Sequence, residues 1–490
     1  MRPALAVVGC ALLALSAACR ESDLTLATPD PTPPTSTSST TTTAADDGGA
    51  GGRGEVGDPG VGDPYFPGLG NGGYDVVSYH IDLDWLPSGA AIDATTTIEL
   101  TPTAPLDAFH LDLEGLEVRG VEVDDVAATW ERDGRELLVD PADVLARGEP
   151  VTVTVSYGGV PQPLSLGSAI FGAGWQTDGR GAYVVSEPAG AATWFPGNDH
   201  PTDKATFSFE VTVPGDLTAV ANGVLVEERD EPDGRRTFRW ESDDPMATYL
   251  ASVVIGDLVV EERTAPTGLP LRDAYPPELA ELARLDFAPA GDMVATFEDW
   301  FGPYPFEVYG HVVVDEPLGF ALENQTLSLF GSDSVTGAGV IEHVVAHELA
   351  HQWFGNSVSP ATWKDIWLNE GFATYAEWIW QQEAGGPSIA DSARAAHRSA
   401  DYGVPPGDPG TEELFQPTVY VRGGLALHAL SVAMGDDAFR QLLREWQRRF
   451  AGSTASTADL LALGEELSGR DLDQLFDDWV HGAALPPFPG

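Results

Sequence analysis

Two histidines four residues apart, His347 and His351, flank a glutamate in the stretch VVAHELAHQWFGN, residues 344–356. On a helix, residues four apart lie on one face, one turn above the other, so both imidazoles can reach the same ion. Glu348 projects in a neighbouring direction, from which its carboxylate can contact a water molecule beside that ion. Gly355 follows where a helix commonly ends. The spacing therefore predicts a divalent metal ion held against one face of a helix.

A third protein ligand is needed if the ion is a four-coordinate catalytic zinc with one open position for water. His343 lies eight residues before His351, about 12 Å along a helix axis, which is too far for both to bind one ion. Glu370, nineteen residues after His351 in DIWLNEGFATYAEW, opens a second helical, apolar-rich segment and is the predicted ligand. Glu377, two turns further along, is the alternative. Two histidines and one carboxylate favour zinc, one ion per chain, although other divalent ions accept the same ligands.

The chemistry of such a site is hydrolysis by an activated water. Zinc lowers the pKa of bound water to about 7, and Glu348 can accept its proton and pass it to a leaving amine. The oxyanion that forms needs a hydrogen-bond donor as well as the metal, and a tyrosine hydroxyl suits that role. Both cysteines, Cys10 and Cys19, lie within the first twenty residues. A thiolate site or a disulfide framework in the folded part is therefore excluded.

The elements that position these residues fall into two parts. Over residues 69–268, apolar residues alternate with period two in runs such as SYHIDLDW, VTVTVSY and ATFSFEVTV, separated by turn residues. This pattern predicts an N-terminal β domain of half-buried strands. Helical periodicity then appears near residues 277–300, 339–354, 369–384 and 422–434. Residues 269–490 are therefore predicted to form a mostly helical domain that carries the metal site.

Composition restricts the possible partners. The chain has 490 residues, with 76 acidic against 25 basic side chains and a net charge of −51. This charge argues against nucleic acid as a partner, because negative side chains repel the phosphate backbone. A chain of this length forms two or three domains, and its hydrophobic content of 43% is sufficient to fill their cores.

The N-terminus has the pattern of an export signal. In MRPALAVVGCALLALSAACR, one basic residue precedes an apolar run of signal-peptide length, which predicts a signal peptide over residues 1–18. The ending LSAAC resembles the lipobox of bacterial lipoproteins, although Ser16 stands where leucine is usual. This resemblance implies lipidation of Cys19 and attachment to the extracytoplasmic face of a bacterial membrane. Ordinary secretion is the alternative. Residues 19–68, rich in Thr, Ser, Pro and then Gly, are predicted to be a disordered tether.

Several stretches together resemble the gluzincin aminopeptidases of the aminopeptidase N family. H-E-x-x-H, eighteen residues and then Glu occur within HELAHQWFGN and WLNEGFATYAE. FALEN, residues 320–324, resembles the family's substrate-binding G-A-M-E-N stretch, and FGPYPF, 301–306, resembles the segment that leads into it. WFPGNDHPTDKATF, 194–207, resembles a signature of the family's N-terminal β domain. DDPMATYLASVVIGD, 243–257, resembles that domain's closing strands, so the resemblance covers about residues 70–490.

The resemblance implies an α+β multidomain fold, with a saddle-like antiparallel β domain followed by a mostly helical, thermolysin-like catalytic domain. It implies a zinc aminopeptidase that removes N-terminal residues from peptides with a free N-terminus. His347, His351 and Glu370 would ligate the zinc ion, and Glu348 would be the general base. Tyr420, in TVYVRGG, would stabilise the tetrahedral intermediate.

Substrate binding is also implied by the resemblance. Glu323 would bind the free α-amino group of the peptide, and Glu187, in SEPAGAATWFP, would be a second group for that amine. Ala321 and Asn324 belong to the same substrate-binding stretch as Glu323.

The sequence departs from the family pattern at several positions. Phe320 replaces the first glycine of G-A-M-E-N and Leu322 its methionine, and both could reshape the pocket for the first side chain. Arg422 replaces a lysine after Tyr420. The sequence also stops soon after the catalytic part, without the large C-terminal helical domain of many relatives, which predicts a more open cleft.

Two other functions are compatible with the same metal ligands. A thermolysin-like zinc endopeptidase would share the helix but would lack the amine-binding carboxylates, so Glu323 and Glu187 argue against it. The second alternative is a catalytically inactive surface lipoprotein that only binds peptides. The presence of all the candidate catalytic residues argues against it.

Overall fold

The computed structural model of the protein describes residues 54–164, 172–179, 181–399 and 403–489. The predicted signal peptide, Cys19 and the tether up to residue 53 lie outside these ranges. Within them, no helix combines the length and the apolar character that crossing a bilayer requires.

The N-terminal part is built from strands that form three sheets. Strands β1 to β16 are Glu55–Val56, Tyr74–Leu86, Ala91–Pro102, Leu106–Asp112, Glu117–Val123, Val126–Ala127, Thr129–Asp133, Glu136–Asp140, Val151–Gly159, Gly174–Asp178, Gly181–Val185, Ala205–Pro214, Thr218–Ala221, Val224–Asp230, Arg235–Met246 and Val253–Gly256. The largest sheet has the order β14-β15-β12-β2-β3-β9-β5-β6. Two four-stranded sheets, β1-β4-β8-β7 and β10-β11-β16-β13, complete this part.

The period-two pattern correctly predicts which side chains enter the core. Tyr79, Leu83, Val153, Phe207 and Phe209 are all buried, while their neighbours along each strand are more exposed. Pairing in the largest sheet is antiparallel as expected, except that β2 and β12 run parallel. These two strands are far apart in the sequence, so the long connection between them permits a parallel register that a hairpin could not form.

Residues 54–68 are ordered, which corrects the prediction that the disordered tether extends to residue 68. Strand β1 pairs with β4, and Asp63 is buried. The Asp63 carboxylate accepts hydrogen bonds from the Trp363 N–H at 2.8 Å and from the backbone N–H of Tyr65. Phe66 packs edge-on against the Trp363 ring. Two aromatic residues and one buried acid thus order a stretch whose Gly/Asp/Pro composition alone indicates disorder.

The catalytic part contains a five-stranded sheet and most of the helices. Strands β17 to β23 are Val259–Thr264, Pro270–Tyr275, His311–Val314, Ala321–Leu322, Ser328–Gly331, Val358–Pro360 and Ser453–Ala455. Helices α1 to α9 are Ala280–Asp286, Ala290–Phe301, Glu342–His351, Trp367–Glu383, Ile389–Ser399, Gly423–Met434, Asp436–Phe450, Thr457–Ser468 and Asp473–Phe476. This confirms the predicted mostly helical domain with a few strands.

The boundary between the two parts lies earlier than predicted. The five-stranded sheet has the order β17-β18-β19-β21-β20. The predicted boundary after residue 268 falls in the turn between β17 and β18, which pair with each other from Val259 to Tyr275. Strand β18 pairs with β19 and therefore belongs to the sheet of the catalytic part. The hydrogen bonding thus places the boundary between β16 and β17. The period-two pattern is shared by both sheets and could not reveal it.

Candidate metal centre and substrate cavity

Helices α3 and α4 carry the predicted metal ligands on facing sides. Nε2 of His351 and Nε2 of His347 lie 3.5 Å and 3.1 Å from Oε2 of Glu370. Closer to the C-terminal end of α4, Oε1 of Glu377 lies 2.8 Å from Nδ1 of His347. The residue number rises on α4 as it falls on α3, so the two helices pack antiparallel.

The other ring nitrogen of each histidine, Nδ1, is held by a hydrogen bond. Nδ1 of His351 lies 3.0 Å from the carbonyl oxygen of Phe354, and Nδ1 of His347 contacts Glu377. Both Nε2 atoms therefore face Glu370, and the three side chains offer ligand atoms within 4.8 Å of one another. This donor set and its outer hydrogen bonds fit a zinc ion with three protein ligands. Glu377, the alternative ligand, supports His347 instead.

Replacing Glu377 with glutamine weakens zinc binding by about 10- to 100-fold. The carboxylate that accepts the His347 Nδ1–H is replaced by a neutral amide, which makes the imidazole a poorer ligand. Zinc affinity is measured by competition with a chromogenic chelator, with Glu383→Gln on the exposed end of α4 as the control. An affinity equal to that of the wild type would contradict this role.

Glu348 lies beside the ligands and is suited to proton transfer. Its side chain is buried, and a carboxylate oxygen lies within 4.8 Å of ligand atoms of Glu323 and His351. Burial raises the pKa of the Glu348 carboxyl to about 8. A carboxyl group that is poised to hold and release a proton near neutrality is a good general base and acid.

Two further carboxylates, Glu323 and Glu187, reach the same site from different parts of the chain. Glu323 directly follows β20, and Glu187 follows β11 in the N-terminal part. Ligand atoms of both lie within 4.8 Å of Glu370 and of each other. Burial, followed by repulsion from neighbouring carboxylates, raises the pKa of Glu187 well above its usual range. Oε1 of each is buried with no hydrogen-bond partner among the described residues, so the pair has the acceptors that a cationic ligand needs.

Two residues just beyond the C-terminal end of α3 fix the backbone at Glu323. Gln352 Nε2 and Asn356 Nδ2 donate to the Glu323 carbonyl at 3.1 Å and 2.6 Å. Gln352 Oε1 also accepts the N–H of Thr326, which has a left-handed φ of 66°. Sequence reasoning missed Gln352 and Asn356. Their signal is present in HELAHQWFGN, where two polar side chains interrupt an otherwise apolar turn directly after the ligands.

Tyr420 lies over the metal ligands in a π-helical turn, Thr418–Arg422. Its ring stacks on that of His347, with centroids 5.8 Å apart. The turn approaches α4 closely because Gly371 and Gly423 meet there. A Cβ at Gly371 would lie 2.9 Å from the Cα of Gly423. Burial, with Glu370 next, raises the pKa of Tyr420 well above its usual range, so the hydroxyl remains a hydrogen-bond donor.

These residues surround one cavity of about 260 Å³. It is lined by Glu187, Phe320, Ala321, Leu322, Glu323, His343, Val344, His347, Glu348, His351, Glu370, Glu377 and Tyr420. All of the predicted site residues in the described ranges are brought together here except Asn324, which is buried but does not line the cavity. Five carboxylates in the lining face the imidazoles of His347, His351 and His343, so the cavity favours cations.

Known proteins share both parts of this arrangement. Residues 76–250 match the family described as the peptidase M1 N-terminal domain, and residues 287–479 match the peptidase family M1 domain. An M1 zinc metallopeptidase from Deinococcus radiodurans superposes with a TM-score of 0.81 at 33% sequence identity, covering 88% of this chain and 99% of that chain. The chain belongs to peptidase family M1. A substituted form of the Deinococcus enzyme has been crystallised with a Tyr-Ser-Ala substrate.

Curated relatives in this family are longer. Aminopeptidase M1-A from Oryza sativa subsp. japonica is 28% identical over 83% of this chain and 49% of its own length. Leucyl aminopeptidase from Saccharolobus solfataricus is 27% identical over 63% of this chain and 42% of its own length. The chain thus spans about half the length of these relatives. Membership of the family confirms the predicted α+β fold and the zinc site of a metallopeptidase.

Proposed function

We propose that this M1 protein is a zinc-dependent aminopeptidase that removes N-terminal residues from peptides with a free amino group. The observation that carries the proposal is the pair Glu187 and Glu323, which lie close to the predicted metal ligand Glu370. Each has a buried carboxylate oxygen that finds no hydrogen-bond partner in the part of the chain that the structure describes. An ammonium group supplies both the charge and the hydrogen-bond donors that these oxygens lack. It would fix the start of the peptide at a set distance from the metal.

The reaction is divided among the residues of the cavity. His347, His351 and Glu370 would hold a zinc ion, which supplies Lewis acidity toward a peptide carbonyl and activates water when bound. Glu348 accepts the proton of the attacking water and delivers it to the leaving nitrogen. The Tyr420 hydroxyl donates a hydrogen bond to the oxyanion that develops on the substrate. Glu323 and Glu187 hold the ammonium, so that only the first peptide bond lies within reach of the Glu348 carboxylate.

The location of the enzyme is proposed from the sequence. The basic and apolar N-terminus followed by LSAAC supports export and lipidation at Cys19, which would attach the enzyme to the extracytoplasmic face of a bacterial membrane. Residues 20–53 would then be the tether. Secretion without lipidation is the alternative, and mass spectrometry of the mature N-terminus distinguishes the two.

Cleavage of one peptide in two forms tests the proposed activity. The full chain is incubated with a free peptide and with its N-acetylated form, with and without a zinc chelator, and the products are identified by mass. We expect single residues to leave the free form only, and the chelator to stop the reaction. Internal cleavage of both forms would instead indicate a zinc endopeptidase, and an absence of cleavage would favour a protein that only binds peptides.

A further inference from the structure

The two carboxylates of the proposed amine site belong to different parts of the chain. Glu187 follows β11 in the N-terminal part, and Glu323 follows β20 in the catalytic part. Their ligand atoms lie within 4.8 Å of one another and of a ligand atom of Glu370. A shift of one part against the other would separate the two carboxylates. The contacts that hold Glu323 in place therefore bear directly on the amine site.

The N-terminal part holds residues 355–357, a buried loop that follows α3. The Tyr249 hydroxyl donates to the first carbonyl oxygen of this loop at 3.0 Å. Nζ of Lys204 donates to the second and third carbonyl oxygens, those of Asn356 and Ser357, at 2.7 Å and 3.0 Å. Three consecutive carbonyl groups of the catalytic part thus accept hydrogen bonds from two side chains of the N-terminal part.

The middle residue of this loop, Asn356, connects Lys204 to Glu323. Its backbone carbonyl accepts the hydrogen bond from Lys204, and its side-chain Nδ2 donates to the Glu323 carbonyl oxygen at 2.6 Å. Asn356 is fully buried. Because a close-packed residue moves together with its neighbours, a displacement of the loop backbone is passed on to the backbone at Glu323.

Lys204 is itself fixed, directly before the start of β12. The preceding residue, Asp203, accepts hydrogen bonds from the Val76 N–H at 3.1 Å and from Asn198 Nδ2. Burial lowers the pKa of the Lys204 ammonium group to about 7. An amine in such a position costs stability unless it is hydrogen-bonded, and the loop carbonyls provide the acceptors.

We propose that Lys204 is a positioning residue for the amine site, which holds Glu323 at the distance from Glu187 that lets both carboxylates bind one ammonium group. The inference rests on the proposed aminopeptidase function and deepens it. Lys204 does not line the cavity, and it acts through Asn356. The docking of the N-terminal part thereby determines how tightly the free amino group of a peptide is bound.

Lys204→Met tests this role, because methionine keeps an unbranched side chain but cannot donate to the loop. With alanine p-nitroanilide, a chromogenic substrate that has a free amino group, KM should rise about tenfold. The displaced Glu323 loses about one charge-assisted hydrogen bond to the ammonium. The value of kcat should stay within about twofold of wild type, because only uniform binding is lost. The zinc content should be unchanged.

Lys364→Met is the matched control, since the chain has no other lysine. Lys364 forms an ion pair of 3.2 Å with Asp408, away from the loop, and this variant should keep the wild-type KM. Tyr249→Phe removes only the hydroxyl that donates to the first carbonyl of the loop. It repeats the test should Lys204→Met not fold, and it is expected to raise KM as well.

A double-mutant cycle separates the positioning of Glu323 from a general effect on the fold. In the Glu323→Gln background, Lys204→Met should raise KM by no more than about twofold, because the carboxylate that it positions is absent. A similar rise in both backgrounds, no rise in either, or a loss confined to kcat would overturn the proposal, while the aminopeptidase stands. If the wild type does not cleave the anilide, the proposed function fails and the positioning role fails with it.

Discussion

Glutamine in place of Glu348 lowers kcat by about 10²- to 10⁴-fold, while the protein still binds one zinc ion. The substitution keeps the size of the buried side chain and leaves His347, His351 and Glu370 in place. It removes the group that accepts the proton of the attacking water and delivers it to the leaving nitrogen. Steady-state kinetics on alanine p-nitroanilide and zinc content by atomic absorption measure the two effects separately.

Glu281→Gln is a suitable control for this experiment, since Glu281 is an exposed glutamate on α1 outside the cavity. The control should match the wild type in both measurements. Retained turnover in Glu348→Gln would show that another group is the base. Loss of zinc together with turnover would mean that the variant does not test proton transfer.

Replacing Glu323 with glutamine lowers kcat/KM for free-amine substrates by about 30-fold or more. Removing one partner of a buried charge pair costs about 2–5 kcal/mol, and the substitution leaves the ammonium facing a neutral amide. The backbone geometry should persist, because Gln352 and Asn356 donate to the carbonyl oxygen of residue 323 and not to its side chain. Kinetics with alanine p-nitroanilide at saturating zinc measure the effect.

A double-mutant cycle with Glu187→Gln tests whether the two carboxylates bind the same group. If both contact one ammonium, the double variant loses less activity than the product of the two single losses. Independent, multiplicative losses would mean that only one of them contacts the amine. Unchanged kinetics in Glu323→Gln would remove this residue from the site altogether.

The cluster of His347, His351 and Glu370 could be predicted because it is encoded locally. The spacing of His347 and His351 is one helical turn, and Glu370 lies at the start of the next apolar helix, so antiparallel packing is enough to bring the three together. The β domain could also be predicted from the sequence, since alternation in runs such as ATFSFEVTV determines which side chains are buried.

Other features depend on contacts between distant parts of the chain. Asp63 is ordered by an N–H 300 residues away, on Trp363, which the Gly/Pro-rich composition around it does not indicate. Strands β17 and β18 share the period-two pattern of the strands before them, but they belong to the five-stranded sheet of the catalytic part. Glu187 and Glu323 meet only because two domains pack together. The sequence resemblance, and not spacing, indicated their role.

A crystal structure of zinc-loaded Glu348→Gln with a free-amine tripeptide tests the central claim most directly. The slow variant preserves the peptide while keeping the metal and the amine-binding carboxylates. We predict that the peptide's ammonium nitrogen lies about 3 Å from carboxylate oxygens of both Glu187 and Glu323. A peptide that passes between these carboxylates, with its amino terminus beyond them, would contradict the account and indicate an endopeptidase.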